Sequence, residues 1–451
     1  MGSTTARPEA ARVRPSPRLR GELRLPGDKS ISHRALLMAA LADGASTIEG
    51  AGDGVDVRST AGIVRALGAA VDRRPDAGRT VSYRVVSPGA DGLRQPADVL
   101  DCGNSGTSLR LVSGVLAGLP MTATLDGDAS LRRRPVARII EPLRSMGAAL
   151  TAREDDSLPP LTVVGRTPLR AIDYTTPVPS AQVKSAILLA GLRADGVTTV
   201  RESVATRDHT ERMLRARGVP VERVEGPDDR VAVSVQGGMA VQAVAERVPG
   251  DVSAAAFWLV AAAIHPDAEL VIRNVGVNPT RRAVIDVLRS MGAEIEERSG
   301  VTGSSDDGVG EPIADLVARS SELRAVELGP ADVAAAIDEI PVLCLAAAVA
   351  TGTTVIRGAG ELRHKESDRI SGVANGLRAL GADIDVDGDD LRIRGGRPLR
   401  GAETDSLDDH RLAMTFAIAG LLATGETLVE RPGSAAISYP GFFDDLERVR
   451  A

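Results

Sequence analysis

The sequence predicts an α/β protein of two domains, because one short structural unit is repeated six times along its 451 residues. The unit is an Ala- and Leu-rich helix, a turn of small residues and a short strand. Three of its copies read RALLMAALADGASTIEG, KSAILLAGLRADGVTTVRE and PVLCLAAAVATGTTVIRG. The turns recur at a spacing of roughly 70–90 residues. Six copies in a chain of this length give two domains of three units each.

A second helix alternates with the first and supports the same organisation. It is amphipathic, ends at a glycine and precedes a β-branched strand, as in RALGAAV and RSMGAEI. Helices of the first kind are apolar all round and are expected to be buried, whereas the second kind should lie outside. A single doubly wound sheet with chance repeats is the alternative. Left-handed caps are predicted at Gly68, Gly147, Gly218, Gly292 and Gly381.

Composition excludes several classes of function. The net charge of −7 argues against nucleic acid as a partner, and the longest apolar stretches fall short of the ~20 residues that a membrane span needs. Cys102 and Cys344 belong to no CxxC or Cys/His cluster, which predicts neither disulfide nor metal site and favours the cytosol. Residues 1–18 lack the apolar segment of a signal peptide. They are interpreted as a flexible tail, with a transit peptide as the alternative.

Polar clusters stand where the buried helices are expected to begin. They read DKSISHR, DCGNSGTSLR, PSAQVKS, PGDVSAA, IDEIP and DDHR, and each offers a side chain suited to a helix N-cap. Capping does not explain the cations Lys29, Arg34, Lys184 and Arg411, because a cation at a helix N-terminus opposes the macrodipole. Helix starts that carry cations predict bound anions, held by free N–H groups and by the cations together.

Lysine is rare in this chain. Only Lys29, Lys184 and Lys365 occur, so 51 of the 54 basic residues are arginine. All three lysines fall in polar segments, which favours a chemical role over surface charge. The segment HKESDR is expected to place Lys365, Glu366 and Arg369 within one helical turn, and a surface ion-pair helix is the alternative interpretation.

Seven motifs in order resemble the 5-enolpyruvylshikimate-3-phosphate synthases: LPGDKSISHRALLMAALADG, LDCGNSGTSLR, VPSAQVKSAILLAGL, TRDHTERML, IDEIPVLCLAA, LRHKESDRI and DDHRLAM. The resemblance implies two inverse α/β domains, each of three βαβαββ units with buried parallel helices, and an active site in the interdomain cleft. One domain would be discontinuous, residues 1–25 with 249–451, and the other would be residues 26–248. The strand near Leu19–Leu25 would join the C-terminal half.

The resemblance also implies the reaction: the carboxyvinyl group of phosphoenolpyruvate passes to the 5-hydroxyl of shikimate 3-phosphate, and phosphate is released, without metal or cofactor. Asp338 would be the base, Glu366 the acid and Lys29 an assisting cation. Shikimate 3-phosphate would be bound by Lys29, Ser30, Arg34, Ser180, Ala181, Gln182, Arg207, Asp338 and Lys365. Phosphoenolpyruvate would be bound by Lys29, Asn104, Gly106, Arg134, Gln182, Arg369 and Arg411.

Some features leave the function open in detail. Ile437 stands where some relatives place a lysine facing phosphoenolpyruvate, and the space beside Gly106 predicts sensitivity to glyphosate. A related transferase with a nucleotide-sugar acceptor is disfavoured, because GDASLRRRP carries no reactive cysteine. A paralogue acting on another cyclic alcohol and a non-catalytic anion-binding relative are the remaining alternatives. A monomer is expected from the resemblance.

Overall fold

The protein is described by a computed structural model for residues 10–76, 78–227, 230–299 and 310–450. The described chain divides into two compact units. The split unit comprises residues 10–26, 250–299 and 313–450, and the inserted unit comprises the described residues of 27–249 together with 310–312. In the inserted unit the Asp28 N–H donates to the Pro249 carbonyl (2.8 Å), so the two ends of the segment 27–249 meet.

The helices alternate between buried and partly exposed classes along the chain, as the repeats predict. In the described residues they are α1 (Lys29–Leu41), α2 (Val55–Ala66), α3 (Gly106–Ala117), α4 (Ala137–Ser145), α5 (Arg153–Asp156), α6 (Ala181–Gly191), α7 (His209–Ala216), α8 (Val252–Ile264), α9 (Ala283–Ser290), α10 (Pro330–Ala335), α11 (Ile340–Val349), α12 (Arg369–Ala379), α13 (His410–Gly420) and α14 (Phe442–Val449). None of these helices combines the length and the apolar character that crossing a membrane requires.

The strands are mostly short and follow the helices. They are β1 (Ala10–Val13), β2 (Leu19–Arg24), β3 (Asp43–Gly52), β4 (Ala70–Pro75), β5 (Thr80–Pro88), β6 (Leu100–Asp101), β7 (Thr122–Asp126), β8 (Ala149–Ala152), β9 (Leu158–Val164), β10 (Leu169–Arg170), β11 (Asp173–Thr175), β12 (Ala194–Asp195), β13 (Val197–Glu202), β14 (Val221–Glu225), β15 (Val231–Gln236), β16 (Ala245–Arg247), β17 (Ala268–Gly276), β18 (Glu294–Ser299), β19 (Ile313–Arg319), β20 (Glu327–Leu328), β21 (Thr353–Ile356), β22 (Asp383–Asp387), β23 (Asp390–Arg394), β24 (Glu403–Asp405) and β25 (Thr427–Glu430).

The inserted unit contains three four-stranded sheets of one design, in the orders β16-β3-β5-β4, β6-β7-β9-β8 and β11-β13-β15-β14. In each sheet the first strand is parallel to the second, and the remaining neighbours are antiparallel. The second and third sheets arise from consecutive βαβαββ segments. In the first sheet the leading strand is β16, the last strand of the unit. The prediction of a mixed α/β protein with two domains is therefore confirmed.

The split unit repeats this design with one exception. Two of its sheets have the orders β2-β17-β19-β18 and β20-β21-β23-β22, again with a parallel first pair. The third sheet is β24-β25-β1, in which β1 lies antiparallel to β25. The expectation of a flexible tail over residues 1–18 is wrong for Ala10–Val13, since Val13 is fully buried in the core beside α13. Residues 1–9 lie outside the described residues.

The helix starts follow the sequence prediction closely. The side chains of Asp28, Ser105, Ser180, Asp251 and Asp409 cap α1, α3, α6, α8 and α13. The start of α11 differs, because the side chain of its N-cap residue Glu339 makes no capping hydrogen bond. The predicted left-handed glycines that end the amphipathic helices are confirmed, with φ between 78° and 105° at Gly68, Gly147, Gly218, Gly292 and Gly381.

Candidate active site

The start of α1 presents two cations in the inserted unit. Asp28 accepts from the Ile31 N–H (2.9 Å), and Lys29 is the first helical residue. The ammonium of Lys29 lies 3.2 Å from the carboxylate of Asp56, which belongs to the first turn of α2. Lys29 remains partly exposed, with 23% of its side chain accessible, so it can still contact a ligand.

Arg34 lies one turn beyond Ser30 and is held by hydroxyls. It donates to the Ser30 carbonyl (2.9 Å), to Thr210 Oγ1 (2.8 Å) and to Ser185 Oγ (2.8 Å). Burial lowers the pKa of Arg34 to about 10, while Glu211 and Asp28 act in the opposite direction. The guanidinium is therefore fixed in one orientation and stays positively charged at neutral pH.

The start of α3 brings together three residues of the predicted phosphoenolpyruvate site. A Cβ added at Gly106 would lie 2.8 Å from Arg110 and 3.5 Å from Arg134, so the bare glycine leaves room for both guanidinium groups. Arg134 donates to the side-chain oxygen of Asn104, whose amide donates to Asp128 (2.8 Å). The geometry orients Arg134 beside a helix N-terminus, which is a favourable place for an anion.

Arg110 is the residue that sequence reasoning missed. Its guanidinium donates to the side-chain oxygen of Gln182 (2.7 Å) and to the Pro135 carbonyl (3.3 Å), and the Gln182 amide donates to Thr107 (2.9 Å). Arg110 thus joins the starts of α3 and α6. The available signal was its place at the end of the DCGNSGTSLR motif, one helical turn after Gly106.

The start of α6 and the loop before α7 supply the remaining predicted residues of this unit. Ser180 accepts from the Val183 N–H (3.4 Å), and Ala181 is the first helical residue. Arg207 is half-buried in the loop between β13 and α7. The grouping of Lys184 with the anion-binding cations is wrong, because its fully buried ammonium lies 2.8 Å from both Glu202 and Glu211.

Arg369 is the centre of the charge cluster in the split unit. It donates to Asp409 (2.8 Å) and to Glu366 (2.6 Å), and Asp338 lies 3.6 Å away. Burial would lower the pKa of Arg369, but Asp409 and Glu366 outweigh it and hold that pKa above its usual value. Burial is the largest single influence on Asp409 and would raise its pKa, but Arg369 and His410 together outweigh it and hold that pKa below its usual value. The pair of Arg369 and Asp409 therefore remains ionised.

The segment HKESDR differs from its predicted helical arrangement. The helix α12 begins at Arg369 with Asp368 as its cap, so Lys365 and Glu366 lie in the preceding turn and share no helix face with Arg369. The Asp368 side chain accepts from the N–H groups of Ile370 and Ser371, so it acts as the N-cap and α12 does not begin earlier in the chain. Lys365 instead approaches Asp338 at 3.5 Å. The turn therefore brings an ammonium and two carboxylates to the start of α12.

Arg411 is buried at the start of α13 without a carboxylate partner among the described residues. Its backbone N–H donates to the cap residue Asp409 (2.8 Å), and its guanidinium lies 6.0 Å from the ring centroid of Phe257. The Arg411 Nε is fully buried and has no hydrogen-bond partner in the described chain. Because a buried cation without a counter-charge is costly, Arg411 is suited to bind an anionic ligand.

Comparison with known proteins identifies the family. A sequence model described as "EPSP synthase (3-phosphoshikimate 1-carboxyvinyltransferase)" matches residues 13–446. The chain belongs to the EPSP synthase family. The 3-phosphoshikimate 1-carboxyvinyltransferase of Gloeobacter violaceus is 52% identical over 445 residues, which cover 98% of this chain and 99% of that relative. The family resemblance inferred from the seven motifs is confirmed.

Solved structures agree with this membership. An EPSP synthase from Acinetobacter baumannii superposes with a TM-score of 0.84 at 40% identity, and the match covers 97% of each chain. An enolpyruvyl transferase from Streptomyces tendae has a TM-score of 0.76 at 22% identity, covering 98% of this chain and 97% of that one. The second similarity concerns the fold alone.

Proposed function

We propose that this EPSP synthase family member transfers the carboxyvinyl group of phosphoenolpyruvate to the 5-hydroxyl of shikimate 3-phosphate and releases phosphate. The observation that carries the proposal is the cluster of the split unit. There Asp338 and Glu366 lie beside Arg369, and Arg411 is buried without a counter-charge among the described residues. Such a set offers proton-transfer groups together with cations for a small polyanion.

Phosphoenolpyruvate binding is assigned to arginines that can grip carboxylate and phosphate oxygens in pairs. Arg411 is the strongest candidate because ligand binding would supply its missing counter-charge. Arg134 is oriented by Asn104 beside Gly106. The remaining proposed contacts are Lys29, Gln182 and Arg369. Gln182 already joins α3 and α6 through Arg110 and Thr107, so its orientation is fixed before ligand binding.

Shikimate 3-phosphate binding is assigned mainly to the inserted unit. Ser180, Ala181 and Gln182 open α6, whose first N–H groups attract phosphate. Arg207 adds a half-buried cation, and Arg34 is held by Ser185 and Thr210 in a fixed orientation. Lys29, Ser30, Asp338 and Lys365 complete the proposed contacts with the ring hydroxyls and carboxylate.

The proposed chemistry is an addition followed by an elimination. Asp338 accepts the proton of the 5-hydroxyl while the hydroxyl oxygen bonds to C2 of phosphoenolpyruvate. Protonated Glu366 delivers its proton to the methylene carbon in the same addition. Glu366 then removes a proton from the methyl group so formed while the bond from C2 to the phosphate oxygen breaks. Lys29 stabilises negative charge on the bridging and leaving oxygens. The departing phosphate takes up the proton that Asp338 received from the 5-hydroxyl, so both carboxyl groups return to their starting states.

The proposal needs no cofactor and no partner besides the two substrates, and we place the protein in the cytosol as a monomer. Phosphate release from phosphoenolpyruvate plus shikimate 3-phosphate tests it. Asp338→Asn is expected to lower kcat about 10²–10⁴-fold. The matched control is Asp387→Asn, since Asp387 is an exposed residue of β22. Size-exclusion chromatography with light scattering tests the monomer.

Other outcomes separate the alternatives. Turnover with a different cyclic alcohol and none with shikimate 3-phosphate would favour the paralogue. Binding of both substrates in calorimetry without phosphate release would favour a non-catalytic relative. Equal activity of Asp338→Asn and the control would reject Asp338 as the base.

A further inference from the structure

A buried charge cluster in the inserted unit has no part in the proposed chemistry. The Lys184 ammonium lies 2.8 Å from Glu202 and 2.8 Å from Glu211, and all three side chains are at most 1% exposed. Burial on its own would lower the pKa of Lys184, but Glu211 and Glu202 outweigh it and hold that pKa above its ordinary value. The cluster is therefore charged, and its cost of desolvation calls for a reason.

The geometry explains why this position is a lysine in a chain with 51 arginines. The ammonium faces three acceptors: Glu202 and Glu211 at 2.8 Å, and the Thr206 carbonyl at 3.4 Å. An ammonium carries three donors on one atom, whereas a guanidinium spreads five over a plane. Lys184 thus ties three elements, α6, β13 and α7, to a single atom.

The first consequence concerns Arg34. Lys184 is followed by Ser185, and Glu211 is preceded by Thr210, so the ion pair adjoins the two hydroxyls that hold Arg34. Ser185 and Thr210 lie 2.7 Å apart and each accepts from the guanidinium at 2.8 Å. A change in the relative position of α6 and α7 would separate these hydroxyls and release Arg34.

The second consequence concerns Arg207. Both carboxylate oxygens of Glu202 accept from Thr206, one from its hydroxyl and one from its N–H (3.4 Å). With the Lys184 bond to the Thr206 carbonyl, three polar groups of Thr206 are held by the cluster. Because Arg207 is the next residue, the cluster fixes the backbone from which its guanidinium extends.

We propose that Lys184, Glu202 and Glu211 form a positioning device for the acceptor site, which presets the directions of Arg34 and Arg207 before the phosphorylated acceptor binds. This inference rests on the proposed function, because it assigns Arg34 and Arg207 to shikimate 3-phosphate. It predicts effects on acceptor binding that are separable from effects on phosphoenolpyruvate binding.

Thr206→Val is the most selective test, because it removes the hydroxyl bonded to Glu202 and leaves the ion pairs in place. We expect KM for shikimate 3-phosphate to rise about tenfold, since that hydroxyl bonds a charged acceptor. Values of kcat and of KM for phosphoenolpyruvate should change by less than about twofold. Thr206→Ser keeps a hydroxyl and should restore the wild-type KM. A role in stability alone would lower the melting temperature of Thr206→Val and leave both KM values unchanged, which would overturn the inference.

A double-mutant cycle shows whether Thr206 acts through Arg207. In an Arg207→Ala background Thr206→Val should have no further effect on KM for shikimate 3-phosphate. A full additional tenfold rise in that background would refute action through Arg207. The double variant Lys184→Met/Glu211→Gln removes the ion pair between α6 and α7 and so tests whether that pair sets their relative position. A melting temperature in the wild-type range together with an unchanged KM for shikimate 3-phosphate would overturn the part of the proposal that concerns Arg34. An inactive wild-type protein would instead contradict the proposed function itself.

Discussion

The same substitution should destabilise the protein strongly at one buried arginine of the split unit and hardly at all at another. Arg369 is neutralised by Asp409, Glu366 and Asp338, whereas Arg411 contacts the Phe257 ring and has no carboxylate partner in the described chain. Replacing Arg369 with Met leaves Asp409 buried without its cation. Breaking a buried pair in this way costs about 3–5 kcal/mol.

The same change at Arg411 removes no counter-charge. The loss of the contact with Phe257 costs about 0.5–2 kcal/mol. Removal of a buried Nε without a partner offsets this by about 1–3 kcal/mol. The two terms nearly cancel, so Arg411→Met should unfold within about 1 kcal/mol of the wild type. Its KM for phosphoenolpyruvate should nevertheless rise at least about 100-fold, because the charge-assisted bidentate contact proposed for Arg411 would be lost.

Equilibrium urea unfolding provides the measurement. Trp258 is the only tryptophan of the sequence and packs in the split unit against Phe442 and Tyr439, so its fluorescence reports on the unit that carries both arginines. Equal destabilisation by Arg369→Met and Arg411→Met would refute the reasoning, since it would mean that Arg411 is compensated as well as Arg369. An unchanged KM for phosphoenolpyruvate in Arg411→Met would refute the assignment of Arg411 to phosphoenolpyruvate binding.

Three further predictions follow from individual contacts. Burial, Lys29 and Arg34 hold the pKa of His33 well below its usual value, so below about pH 6.5 the unfolded chain binds a proton at His33 that the folded chain does not. The free energy of unfolding therefore decreases as the pH falls, by up to ~1.4 kcal/mol per pH unit. His33→Gln should show a shallower decline between pH 6.5 and 5 in urea unfolding, and an identical slope would contradict this. Gly106→Ala places a methyl group 2.8 Å from an arginine at the start of α3, so glyphosate inhibition should weaken about tenfold or more, measured as an inhibition curve. A wild-type enzyme unaffected by millimolar glyphosate would reject the premise. Val13→Ala should cost about 1–3 kcal/mol because Val13 is fully buried, whereas Arg12→Ala, which breaks an exposed ion pair, should cost less than about 1 kcal/mol.

The repeats and the helix caps were accessible from the sequence because both depend on local patterns. An apolar helix followed by a small-residue turn has the same meaning wherever it occurs, and Ser or Asp before such a helix caps it. The starts of α1, α3, α6 and α13 follow this logic, and they carry most of the predicted site residues.

The partners of those residues were not accessible, because they come from distant parts of the chain. Lys184 is part of a polar helix start like Lys29, yet Glu202 and Glu211 neutralise it from β13 and α7. The strand β1 was missed for the same reason, since its pairing partner β25 lies more than 400 residues away. Sequence patterns locate such residues on elements, but the long-range packing decides which charges remain available to a ligand.

Because the two ends of the segment 27–249 meet, this segment should be transferable to another protein as a single insertion. A segment whose two ends lie close together can be inserted into a loop of another protein, the host, without separating the residues on either side of the insertion. The hydrogen bond between Asp28 and Pro249 joins these ends, and Asp251 and Pro26 form the matching bond in the split unit (3.0 Å). Recombination at this junction would exchange the segment that carries most of the proposed acceptor site, and a short peptide joining residues 27 and 249 should allow the excised segment to be cyclised.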